Sequence, residues 1–200
     1  MHNIQSIDDR NNIVITGGLT TKSQSGSKPY IFSNAVYIFD FKTNTYNLHS
    51  KLSSSRFTHQ STTIGGNIYL VGGAKNNKIS SDNEAISVGQ KLTVPPMHNE
   101  RKNFGMCSFA GCIFLAGGAH KNMESFAKCE VYSAESGEWS EVCSMNTSRL
   151  AFALTYFQDK VWAIGGGSNM NVLDTVETYD LGENKWTTAD VRLLQKRSGH

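Results

Sequence analysis

Four times along this chain an apolar run ends in two consecutive glycines: Ile15-Thr16-Gly17-Gly18, Leu70-Val71-Gly72-Gly73, Leu115-Ala116-Gly117-Gly118 and Ala163-Ile164-Gly165-Gly166. The first glycines stand 55, 45 and 48 residues apart, a period typical of architectures that copy one supersecondary unit and stack it. Arginine keeps the same period. Arg56, Arg101, Arg149 and Arg197 follow one another at 45, 48 and 48 residues, and the first three stand sixteen residues before a doublet. An aromatic pair seven residues apart is a third marker: Phe39 with Tyr46, Tyr132 with Trp139, Tyr179 with Trp186. A chain patterned this way folds as a series of similar units, each burying its apolar surface against the next.

Each unit reads as four short antiparallel strands. Phe57 to Ile64 is β-rich and stops at Gly65-Gly66, where a tight hairpin needs residues tolerant of positive φ, and Ile68 to Val71 returns. Phe104 to Phe109 turns at Ala110-Gly111 into Ile113-Phe114-Leu115, and Phe152 to Phe157 turns at Gln158-Asp159 into Val161-Trp162-Ala163. After each doublet comes a polar loop, then an alternating strand such as Glu130-Val131-Tyr132, then a strand opening at a position like Trp139. A four-stranded sheet has two faces to cover, and a series of such sheets covers both by radial stacking. The expected fold is therefore an all-β propeller with four blades of four antiparallel strands. The blades fall at 1–55, 56–100, 101–148 and 149–196, with 197–200 opening a further one. The doublets Gly17-Gly18, Gly72-Gly73, Gly117-Gly118 and Gly165-Gly166 are expected where neighbouring backbone comes too close for a side chain. Tyr132, Trp139, Tyr179 and Trp186 are expected between adjacent sheets. The first blade carries a long polar loop, 20–33, and the second lacks the aromatic pair, so its outer strands are expected to be degenerate.

Several classes of function fall away on composition. The formal charge is +2, only 18% of residues are charged, and the positive ones are scattered, so the basic footprint of a nucleic-acid binder is missing. No apolar run approaches the roughly 20 residues of a membrane span, and Met1 to Ser6 lacks the basic and apolar regions of a secretory signal. Cys107, Cys112, Cys129 and Cys143 form no C-x-x-C pair; they read as reduced thiols of a cytoplasmic protein, with Cys107 and Cys112 flanking one tight turn. The six histidines are dispersed, without H-x-H or H-E-x-x-H, and His59 and His200 share a repeat position with Phe104 and Phe152, which marks them as packing residues. There is no G-x-S-x-G, and Gly165-Gly166-Gly167 ends a strand without the helix that a phosphate loop requires. No catalytic residue, metal ligand or cofactor site is expected, and the chain reads as a binding protein.

The arginine openings Arg101-Lys102-Asn103-Phe104, Arg149-Leu150-Ala151-Phe152 and Arg197-Ser198-Gly199-His200, the glycine doublets, and the run from Glu130-Val131-Tyr132 through Trp139 to Met145 resemble kelch repeats. The phrase from Glu177 through Tyr179-Asp180 to Trp186 repeats that run, and the resemblance covers nearly the whole chain. WD40 repeats, of similar period, need a Trp-Asp signature that none of Trp139, Trp162 or Trp186 supplies. Related kelch propellers mostly have six blades, so the resemblance implies a fragment or truncated form of a longer protein. The chain is most similar to the kelch-like proteins, whose propeller follows BTB and BACK domains and captures substrates for a cullin-type ubiquitin ligase. Cullin would be reached only through such domains, which these residues do not include. The alternative by the same resemblance is an actin-binding, cytoskeletal scaffold; a remoter one is a copper enzyme resembling galactose oxidase.

In that family partners sit on the face formed by the loops after the doublets and by the junctions entering each first strand. Carried onto this sequence, the face offers Arg56, Arg101, Arg149 and Arg197 at the junctions. From the loops it offers Tyr30, Lys75, Asn76, Asn77, His120, Lys121, Asn122, Ser168, Asn169 and Met170. Arginines around one rim could grip a carboxylate-bearing peptide through bidentate bonds, or each could brace its own blade. A protein or peptide is the expected ligand, with neither nucleic acid nor membrane as partner.

Overall fold

Alternation of apolar and polar residues over five- to eight-residue segments, punctuated by tight turns, yields sheets and no helix among the described residues. The computed structural model describes residues 3–7, 12–21, 30–75, 78–87, 91–120, 124–169 and 171–199. Four antiparallel sheets of four strands are built in chain order. The first comprises Asn3–Ile7, Asn12–Thr16, Ala35–Asp40 and Thr45–Lys51; the second Gln60–Ile64, Asn67–Val71, Asn83–Ile86 and Lys91–Leu92. The third comprises Gly105–Phe109, Cys112–Ala116, Cys129–Ser133 and Glu138–Val142; the fourth Ala153–Phe157, Lys160–Ile164, Thr175–Asp180 and Lys185–Arg192. In every sheet each strand pairs with the next in sequence once the doublet loop is set aside. The fourth strand of the second sheet is only two residues long, in the unit without an aromatic pair. No helix of the described residues is long and apolar enough to cross a membrane.

The hairpins inside the sheets turn as their residues demand. Gly65 and Gly66 have φ of 55° and 75°, Ala110 and Gly111 46° and 75°, Gln158 and Asp159 48° and 58°. Two successive positive φ values match the right-handed twist of the flanking strands. The turn at Ala110-Gly111 places Cys107 opposite Phe114 and Cys112 opposite Phe109, so the two thiols do not face each other, and all four cysteines are free.

The chain forms two compact units, residues 1–94 with the first two sheets and residues 95–200 with the last two. In the first unit the core is Val14, Val36, Leu52, Ile68 and Leu70, with Ile38 and Ile86 packed against it. The second unit holds a larger cluster: Phe114, Ala116, Cys129, Met145, Phe152, Val161, Ala163, Tyr179 and Trp186. Phe114 of the third sheet lies 4.9 Å from the Tyr179 ring and 6.1 Å from Trp186 of the fourth. Each such ring removed from water stabilises by about 1.5–3 kcal/mol. The indole polar tips are satisfied at the same time, Trp139 Nε1 donating to the Pro95 carbonyl at 2.9 Å and Trp186 Nε1 to that of Cys143 at 3.0 Å. The homologous pair of the first sheet is different. Phe39 and Tyr46 touch at 4.8 Å, but Tyr46 is 62% exposed, because no described element covers that side of the sheet.

Candidate functional site

The loops after the doublets and the junctions before the arginines are built together, from one repeated set of bonds. In the second unit the Gly118 amide donates to the Arg149 carbonyl at 2.7 Å and the Gly166 amide to that of Arg197 at 2.8 Å. In the first unit Gly18 donates to the Arg56 carbonyl at 2.8 Å. A Cβ on Gly17 would stand 2.5 Å from the Arg56 carbonyl oxygen, and one on Gly166 2.5 Å from the Phe152 Cβ. With φ of 54° and 97° as well, these positions admit glycine for two separate reasons. The residues beyond each arginine then pair with those beyond a doublet, as Leu150 with Gly167 and Arg56-Phe57 with Ala74-Lys75. Short hairpins follow the doublets: in residues 1–94 Leu19–Thr21 with Tyr30–Phe32 and Ala74–Lys75 with Lys78–Ile79, and in residues 95–200 Gly167–Ser168 with Asn171–Val172.

Arg56, Arg101 and Arg149 are fully buried, which corrects the expectation that they contact a ligand. Arg149 Nη1 donates to the carbonyls of Gly165 at 2.7 Å and Thr175 at 2.9 Å, and its Nη2 to Thr175 Oγ1 at 2.9 Å and Glu177 Oε1 at 3.0 Å. Arg101 makes the matching bonds to the Gly117 and Lys128 carbonyls and to Glu130, and Arg56 to those of Gly72 and Asp82 and to Glu84. The glutamates complete the brace by accepting amides of the preceding junction: Ser53 to Glu84, His98 and Asn99 to Glu130, Asn146 and Thr147 to Glu177. A guanidinium so enclosed has no face left for a ligand. Burial alone would raise the Glu130 carboxyl, but the Arg101 guanidinium and the bonds from Asn99 and His98 outweigh it and hold it below the usual carboxylate range. Arg197 differs: it is exposed, and no carboxylate partner accompanies it among the described residues.

The glutamates escaped the sequence reading, although a periodic signal existed: they follow their arginines by 28, 29 and 28 residues. A third periodic charged residue, of opposite sign and on a strand, points to an internal ion pair.

Among the loop residues, Lys75 forms an ion pair with Asp82 at 3.0 Å, and the bond from Lys75 is the largest influence holding that carboxyl low. His120 is exposed, with Nε2 3.6 Å from Glu100 Oε1. Ser168 is half-buried and joins a row of hydroxyls in which Ser125 Oγ meets Ser148 Oγ at 2.9 Å and Ser148 Oγ meets Ser168 Oγ at 2.9 Å. Ser125 and Ser148 were not among the expected site residues; scattered serines carry no sequence signal until the loops align them. Asn169 is exposed with φ of 44°. The backbone of Tyr30 is in its hairpin, and Asn76, Asn77, Lys121, Asn122 and Met170 lie outside the described residues. Below the serines, Arg101 stacks its guanidinium over the Phe126 ring at 4.9 Å, and His120 meets the same ring edge-on at 6.4 Å.

Chemically, this end of the second unit offers neutral hydroxyls, one imidazole beside one carboxylate, and exposed amides. Such groups donate and accept hydrogen bonds to a polar chain. The serines bond to one another, not to an imidazole, and no group of three or more His, Cys, Asp and Glu suited to a metal occurs among the described residues. Burial pushes the Cys107 and Cys129 thiols to about 12, so both are neutral at physiological pH.

Comparison with known proteins agrees with this architecture. The family model described as the Kelch motif matches residues 100–146 and 148–189. The solved structure of YjhT superposes with a TM-score of 0.84 over 98% of this chain and 72% of that one, at 14% identity. Residues 100–146 and 148–189 thus match the Kelch motif, and the fold is a kelch-type β-propeller with four four-stranded sheets among the described residues. More particularly, the chain is similar to the propeller portion of kelch-like proteins: 40% identical over 60 residues to Kelch-like protein 7 of Rattus norvegicus, covering 30% of this chain and 10% of that protein. It is 22% identical over 180 residues to Kelch-like protein 23 of Homo sapiens, covering 88% and 30%, and 22% identical over 190 residues to Beta-scruin of Limulus polyphemus, covering 87% and 20%. The chain thus spans less than a third of the length of these relatives.

Proposed function

We propose that this chain is a protein-interaction module, the substrate-recognition propeller of a kelch-like adaptor for a cullin-type ubiquitin ligase. The observation that carries the binding reading is the division of labour at the doublet end. Buried Arg–Glu pairs fix the junctions, which frees the loops above them to vary, and the exposed loop residues are hydrogen-bonding groups. The ligand is a protein or peptide segment laid along the row Ser125, Ser148 and Ser168 beside His120. The ligase connection rests on similarity to the kelch-like proteins, and cullin is reached through domains outside this chain. On this reading the protein works in the cytoplasm, as a binding module without catalytic residues or cofactor. The same family resemblance supports a second reading, an actin-binding scaffold.

Affinity purification of the tagged natural gene product from its own cells, with mass spectrometry of intact mass and co-purifying proteins, separates them. Recovery of a cullin supports the adaptor; recovery of actin without cullin supports the scaffold. A double variant, His120→Ala with Ser168→Ala, is expected to lose the captured partner at least tenfold while keeping its circular-dichroism spectrum, since His120 is exposed, Ser168 is half-buried, and both changes only remove atoms. Undiminished capture by that variant would move the site elsewhere on the protein.

A further inference from the structure

Among the described residues, the buried side-chain atoms Ser50 Oγ, Ser54 Oγ, Arg56 Nε, Thr58 Oγ1 and Ser61 Oγ have no hydrogen-bond partner in the protein, and residues 95–200 contain no such atom. The contrast is sharpest at the arginines. Arg149 Nε donates to Glu177 Oε1 at 3.2 Å and Arg101 Nε to the Asn99 carbonyl at 3.4 Å. Asn99 also gives its side-chain amide to Glu130 at 3.1 Å, whereas the hydroxyl of Ser54, at the same place two residues before its arginine, has no partner. An unsatisfied buried donor carries the full cost of leaving water, so each of these atoms calls for a partner.

The polar atoms are written into the sequence. Three and five residues after the arginine, the third sheet's repeat has Phe104 and Met106 and the fourth's has Phe152 and Leu154; the second has His59 and Ser61. Ser61 is fully buried and pairs with Leu70, so its hydroxyl lies on the strand face that carries the core of the first unit. His59, two residues earlier, bonds Thr16 of the first sheet. Thr58 is not free to turn toward another group by moving its backbone. Its φ of 52° matches the 53° of Asn103 and the 50° of Ala151 at the same repeat position, so the repeat fixes that conformation.

We propose that the joint between the first and second sheets is a binding site for internal water, with one molecule joining Ser54 Oγ to Arg56 Nε and another held by Ser61 Oγ. The chemistry selects a neutral ligand. Arg56 and Glu84 neutralise each other at 3.0 Å, so a buried ion would bring a charge with no counterpart. A hydroxyl both donates and accepts whereas Nε only donates, and water satisfies both kinds of group. It is also small enough to stand where serine replaces methionine or leucine, at a site that is polar as a buried water requires. In residues 95–200 the Nε groups of Arg101 and Arg149 are already engaged, so the same joint there is closed by protein groups alone.

Nuclear magnetic resonance of the full 200-residue chain reads this at single groups. The Arg56 Nε–H is expected to show cross-relaxation with water, and the Arg149 Nε–H, engaged by Glu177, none. A crystal structure of the same chain is expected to show ordered water within hydrogen-bond distance of Ser54 Oγ, Arg56 Nε and Ser61 Oγ. Ser54→Asn brings in the amide that Asn99 supplies in the next repeat, and loss of the Arg56 water signal with an unchanged circular-dichroism spectrum is expected. No cross-relaxation at Arg56 in the natural chain overturns the proposal, and so does equal cross-relaxation at Arg149. Crystal density for an ion at these atoms, or for no water at all, overturns it without any variant having to fold.

Discussion

Arg149 and Arg197 occupy the same place in the repeat and have opposite physical situations. Arg149 is buried and donates to two carbonyls, a hydroxyl and Glu177; Arg197 is exposed. Arg149→Met leaves the buried Glu177 carboxyl without its guanidinium partner, so a loss of about 3–5 kcal/mol in urea unfolding is expected, against no measurable change for Arg197→Ala. His59 gives a pH signature. It replaces the phenylalanine found at Phe104 and Phe152, is buried, and bonds Thr16 Oγ1 at 2.9 Å. Burial, then the Arg56 charge, pushes its pKa down to about 3. The folded value lies below the unfolded one of about 6.5, so this residue's contribution is fully present above pH 6.5 and is lost as pH falls toward 3. His59→Phe is expected to be about 1 kcal/mol less stable at pH 8, where the Thr16 hydroxyl loses its partner. Between pH 6.5 and 4 the variant should lose a few kcal/mol less than the natural chain, as read by denaturant midpoints across that range. The arginine period was legible in the sequence; its role was not, because a buried brace and an exposed claw leave the same periodic trace.

At the level of elements, the doublet is the joint between a sheet and the next junction. Gly166→Ala combines a φ of 97° with a Cβ 2.5 Å from the Phe152 Cβ, and a cost above about 2 kcal/mol is expected. Gly65→Ala, at a φ of 55° with nothing within 4 Å, is expected to cost about 1 kcal/mol or less. Chemical denaturation of the two variants side by side checks the difference; equal losses would mean that conformation alone, not close approach, sets the glycine requirement. The hairpins and their turns were readable from residue type because a two-residue turn is a local problem. The short ladders at the doublet end were not: Arg56-Phe57 pairs with Ala74-Lys75 across the doublet, a pairing that no alternation announces. The serine row was invisible for a similar reason, since Ser125, Ser148 and Ser168 come from three segments.

For the whole molecule, the buried apolar clusters of the two compact units differ in size among the described residues. Trp139, Trp162 and Trp186 all lie in residues 95–200, so tryptophan emission follows that unit alone, while far-ultraviolet circular dichroism follows all the strands. The smaller cluster of residues 1–94 is expected to unfold at lower urea, giving a dichroism midpoint below the fluorescence midpoint; coincident transitions would mean one cooperative structure. The period of doublets, arginines and aromatic pairs determined, without coordinates, that the chain is all-β, how many four-stranded sheets it makes and where their hairpins turn, because these depend on spacing and on local backbone preference. Which charged residues are buried, which aromatic pair stays uncovered, and which hydroxyls meet were decided only in the tertiary structure. Those outcomes depend on what a neighbouring sheet supplies: Tyr179 and Trp186 are enclosed by Phe114, whereas Phe39 and Tyr46, written in the same code, have no described sheet over them, and Tyr46 is left 62% exposed.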